Sequence, residues 1–173
     1  MSEAEEQGTP YPDGNAGRVD DWSARIYAAL RGWPDARAGA WTRWEPGYLL
    51  LTIDHARGRD IDRIVLYTAD ELLKVAFGYW DEEYPVPGLS DDVEPEALAA
   101  EARRLVEQWL DGEFRTAVVL DVDGGWLGTR VVERGEDPVA GARAWMASLN
   151  RTADRIELRS PFRDEWRIIP LAP

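Results

Sequence analysis

The 173-residue chain carries 33 acidic against 20 basic side chains, a net charge of −13, and no cysteine. Disulfides, thiolate nucleophiles and thiolate metal sites are therefore excluded, and the charge opposes binding to nucleic-acid phosphates or anionic membranes. Nine tryptophans in a chain of this length predict one domain with a sizeable core.

Residues 1–19 are polar and acidic, punctuated by Gly8, Pro10, Pro12, Gly14 and Gly17, and read as a loosely attached tail. That start is the opposite of a signal peptide, and no run reaches the ~18 apolar residues of a membrane span, so a cytoplasmic protein is expected. A single domain is expected over 20–173. Asp20 or Asp21 suits a helix cap, and Trp22, Ile26, Ala29, Leu30 and Trp33 follow at helical spacing until Gly32 and Pro34. Residues 35–47 give no clear assignment. Strands are predicted over Tyr48–Asp54, Ile61–Tyr67 and Glu71–Phe77, the last two as a hairpin.

After Phe77 comes YWDEEYPVPGLSDDVEP, a proline-punctuated stretch read as a loop. Pro95 opens the next helix, whose apolar stripe is Leu98, Ala102, Leu105, Val106 and Trp109, with Gly112 as its stop. Asp92 and Glu94 lie where carboxylates offset the helix dipole. Thr116–Val122 and Trp126–Val132 flank Asp123-Gly124-Gly125, a hairpin signal. Asp137 and Pro138 then start a third helix carrying Val139, Ala142, Met146 and Leu149. Arg155–Arg159 and Trp166–Ile169 close the chain. The pattern predicts an α+β fold, a mainly antiparallel sheet of about seven strands with three helices packed on it.

Catalytic signatures are sparse. His55 is the sole histidine, and Asp54, His55 and Asp60 are better read as a charged turn than as a weak metal site. No serine sits in a nucleophile elbow. Asp121 and Asp123 are accounted for by turn formation. No phosphate loop or dinucleotide fingerprint is present. The residues predict neither a cofactor nor a metal, and no catalytic set.

What stands out is the distribution of acid. Tyr79 to Asp111 holds ten acids against Arg103 and Arg104. Within it, Tyr79, Trp80 and Tyr84 alternate with Asp81, Glu82 and Glu83, followed by Asp91 and Asp92. Aromatic side chains anchor interfaces and carboxylates steer basic partners, so these eight residues are the candidate partner-binding set. The competing reading has Trp80 and Tyr84 closing the core edge and the acids keeping the loop solvated.

The segments DELLKVAFGYWDEEYP, EARRLVEQWLDGEF and RIELRSPFRDEW resemble, in strand order and local phrasing, the immunity proteins encoded beside bacterial polymorphic toxins. The likeness spans roughly Tyr48 to Trp166. Members of that group often carry histidine after the strand-ending Phe-Gly, where this chain has Tyr79-Trp80-Asp81 and no histidine. The resemblance implies a stoichiometric inhibitor that binds a basic toxin domain through its acidic and aromatic surface. A general accessory or scaffold domain, or a carboxylate-based enzyme or small-ligand protein, is the alternative.

Overall fold

A computed structural model describes residues 19–43, 47–77, 79–84 and 93–171. It has an α+β fold with two antiparallel sheets, of five and four strands, and helices packed against them. The chain divides into two compact units.

The first unit holds α1 (Asp21–Leu30), α2 (Pro34–Arg37), β1 (Ala40–Arg43), β2 (Leu49–Ala56), most of β3 (Arg59–Ala69), β4 (Leu72–Phe77), most of β5 (Trp80–Tyr84) and α3 (Pro95–Leu110) as far as Val106. Its sheet order is β1-β2-β3-β4-β5, so β5 is an edge strand. The helix start follows from Asp20, whose carboxylate accepts the Ser23 N–H at 2.8 Å. Alternation then sorts the sheet. Ile64 pairs with Phe77, Leu66 with Val75 and Thr68 with Leu73, all six buried, while the intervening Val65, Tyr67, Lys74 and Ala76 are half-exposed. The β3–β4 turn is Asp70-Glu71, with φ of 48° and 62°, so β3 runs two residues past its expected end at Tyr67. These left-handed values suit the twist of a two-residue hairpin.

The buried hydroxyls of Ser23 and Thr68 enter this core hydrogen-bonded. The Thr68 hydroxyl accepts the Leu49 N–H at 2.9 Å and shares a 2.7 Å hydrogen bond with Ser23, whose hydroxyl also donates to Asp20 at 2.8 Å. The network ties α1 to β2 and β3. Val19, 4% exposed, already belongs to the core, whereas the rest of the expected tail lies outside the described residues.

The second unit contains Asp60–Asp62, Tyr79–Trp80 and the described chain from Glu107, with sheet order β7-β6-β8-β9. Here β6 is Phe114–Leu120, β7 Trp126–Glu133, β8 Arg155–Arg159 and β9 Arg167–Pro170, and α4 spans Pro138–Ser148. Asp121 builds the β6–β7 turn, its Oδ1 accepting the N–H groups of Asp123 at 2.9 Å and Gly125 at 2.6 Å. Asp137 caps α4 through the Val139 N–H at 2.9 Å, and Pro138 takes the first helical position, as the sequence predicts. Ala142 and Met146 of α4 pack on Val119 and Ile156. Gly128, with φ of +153°, lies under the Trp145 ring, where a Cβ would approach to 2.4 Å.

Two strands exceed the seven expected. β1 occupies the unassigned 35–47 region. β5 takes only the first part of the predicted loop, because an edge strand tolerates the acids that lower strand propensity elsewhere, and residues 85–92 of that stretch lie outside the described residues. His55 likewise lies in β2 rather than in a turn; the β2–β3 turn is Arg57-Gly58. Among the described residues no helix is long and apolar enough to cross a membrane.

Candidate functional site

The residues singled out by sequence separate on folding. Tyr79 is 57% exposed, Trp80 half-buried and Tyr84 only 8% exposed, so the core-edge reading holds for Tyr84. Asp91 and Asp92 lie outside the described residues. Strand alternation places Asp81 and Glu83 on one face of β5 and Glu82 and Tyr84 on the other.

The three carboxylates have different fates. Glu83 pairs with Lys74 of β4 at 3.2 Å, and that contact raises the lysine's pKa. Neither the Asp81 nor the Glu82 carboxylate has a hydrogen bond or ion pair among the described residues, though the Asp81 charge also acts on Lys74. Asp81 is exposed and Glu82 half-buried. Burial, and then the neighbouring Asp81 charge, raises the Glu82 pKa above its ordinary value. Beside it, burial pushes the Tyr84 phenol up to about 12, helped by the charges of Glu82 and Glu101. This edge strand thus carries a partly desolvated carboxylate that a cation would relieve.

Tyr79 belongs to a separate cluster. The Arg159 guanidinium lies 4.5 Å from the centre of its ring and 4.4 Å from that of Trp166. Arg159 also donates from Nη2 to Glu157 at 2.7 Å, and the Trp166 indole N–H donates to the Ser160 carbonyl at 3.2 Å. Sequence reading could not find this stack, since Tyr79 lies far along the chain from Arg159 and Trp166.

Among the described residues no group of three or more His, Cys, Asp or Glu side chains is placed to hold a metal. Asp54, one of the weak metal candidates, accepts from Arg63 Nε at 2.7 Å. A cavity of about 280 Å³ lies in the second unit. Phe114, Val132 and Leu158 are its buried walls, and Arg115, Arg134, Glu133 and Glu165 its exposed ones. Cationic and anionic groups are mixed there, so the charge pattern favours no ligand class.

No protein-family model, curated protein or solved structure matches the chain.

Proposed function

We propose that this chain is a non-catalytic protein-binding domain that blocks a basic partner through β5, in the manner of an immunity protein neutralising a cytoplasmic toxin. The observation that carries this reading is the pair Asp81 and Glu82 on an edge strand. Among the described residues neither carboxylate has an ion pair, Asp81 feeling only the more distant charge of Lys74, and Glu82 is held partly out of water with a raised pKa. A lysine or arginine from a partner would supply the missing charge, and the field of a −13 protein would speed its approach. Strand β5 also offers the partner an edge of the sheet. The cavity at Phe114 and Leu158 favours a second reading, small-ligand binding.

The test is co-expression with the product of the adjoining gene, reading cell growth and the affinity of the purified pair. Asp81→Lys with Glu82→Lys is expected to weaken the complex on the order of 100-fold or more and to abolish protection. Glu83 is left in place because its carboxylate already pairs with Lys74. Unchanged affinity in a variant of unchanged melting temperature sinks the acidic-strand reading.

A further inference from the structure

The chain is acidic overall, but from Pro138 to Leu171 six arginines face four acids. Within that stretch a notch of about 200 Å³ lies beside α4 and the loop that follows it. Its polar lining is Arg143, Arg151 and Thr152; its apolar lining includes Met146, Ala153 and Leu171, and no carboxylate lines it. Arg143 is fixed in place, donating to the Leu171 carbonyl from Nε at 3.1 Å and from Nη2 at 2.7 Å. The Arg151 backbone is held by its N–H to the Met146 carbonyl at 3.0 Å. Its guanidinium makes one long contact, 3.5 Å to the Leu127 carbonyl. Neither arginine pairs with a carboxylate among the described residues.

Purely structural duties explain part of this. Arg143 ties down Leu171, and cations near the carbonyl end of a helix offset its dipole. Those duties use two of the five N–H donors of Arg143 and at most one of those of Arg151. They leave unexplained why a concave, partly apolar site in so acidic a chain is lined by two exposed arginines and, among the described residues, by no counter-charge.

We infer that this notch binds an oxyanion carried on a short apolar group, a carboxylate or a phosphate ester. Guanidinium forks can donate two N–H groups to a pair of oxygens of either headgroup, and Ala147 and Ala153 offer surface to the apolar tail above the buried Met146 and Leu171. The inference does not depend on β5 and stands if the partner-blocking reading fails.

The chain has two methionines, Met1 and Met146, so a ¹³C-methyl-methionine spectrum places one reporter in the notch. The full chain is titrated with hexanoate, hexyl phosphate and hexanol. A saturable shift of the Met146 methyl with at least one anion is expected, and the tighter of the two identifies the headgroup. Hexanol is expected to bind at least tenfold more weakly. Arg151→Gln, which removes no short hydrogen bond, is expected to weaken the anion at least tenfold at unchanged melting temperature. Arg143→Gln gives a second reading if it folds without the Leu171 tie. No saturable shift, hexanol matching the anions, or Arg151→Gln binding as tightly as the parent overturns the proposal.

Discussion

Two acidic segments of the first unit differ in what their charge does. Ahead of and within the first turn of α3, Glu94 and Glu96 converge on Arg25 of α1, with Arg25 Nη2 donating to Glu96 at 2.6 Å and Nε at 2.8 Å. The guanidinium holds the Glu96 carboxyl below its ordinary pKa. On β5 the Glu82 carboxyl moves the other way, raised by burial and by Asp81. Neighbouring parts of one sequence thus hold acids that the fold compensates and one, Glu82, that it leaves strained. Net charge does not separate the two kinds; the sign of the pKa shift and the presence of a cation do.

The largest expected effect bears directly on that contrast. Asp81→Lys with Glu82→Lys should reduce partner affinity on the order of 100-fold or more, whereas Glu94→Gln with Glu96→Gln should leave it unchanged. Affinity measured for both variants against one partner tests the distinction. Equal losses would mean that overall charge, not the strand, governs binding.

The next effect belongs to the phenol beside Glu82. Tyr84 is raised to about 12 in the folded chain, chiefly by burial, against an ordinary value of 10. A raised pKa means stability that is complete below pH 10 and lost as pH rises through 12. The loss attributable to Tyr84 is about 2 kcal/mol over that window. Tyr84→Phe keeps the ring and should flatten that part of the decline in urea unfolding, with little change at pH 7. A decline of the same size in both proteins would place the titrating group elsewhere, for example at the half-buried Tyr48, whose pKa is also raised.

A smaller effect tests the compensated side. Arg25→Gln removes the hydrogen bonds and charge that lower the Glu96 pKa, so that pKa should rise toward the ordinary carboxylate value in an NMR titration. Because the depressed value stabilises the fold above the ordinary carboxylate pKa and is lost on acidification, the variant should differ from the parent at pH 7 and converge with it in acid.

Much of this architecture is legible in the chain because its signals are local. Asp20, Asp137 with Pro138, the Asp121–Gly125 turn and the alternation of β4 each announce themselves within a few residues. Strand β5 does not, since Trp-Asp-Glu-Glu-Tyr has poor intrinsic strand propensity and gains its conformation from its neighbour β4. The same limit hid the functional chemistry. The acids of 79–84 were visible as composition, but Lys74 pairing with Glu83 and not with Glu82 is settled by strand position. The Arg25 link to Glu94 and Glu96 joins elements about 70 residues apart, so Glu94 reads locally as a helix-dipole partner alone.

The smallest effect is the sharpest test of whether Glu82 is strained. Its raised pKa means that the folded state disfavours the charged form, so the penalty is present at neutral pH and disappears as pH falls through the raised value. Glu82→Gln removes the charge and keeps the shape. It should therefore stabilise the protein at pH 7 by a few tenths of a kcal/mol, a small figure because the side chain is half in solvent. At pH 3, where both side chains are neutral, the two proteins should unfold at the same urea concentration. A variant that gains stability while losing its partner marks a residue kept at a cost to the fold. If Glu82→Gln instead loses stability at pH 7, Glu82 behaves as Glu96 does, and the strained carboxylate on β5 no longer supports a binding surface.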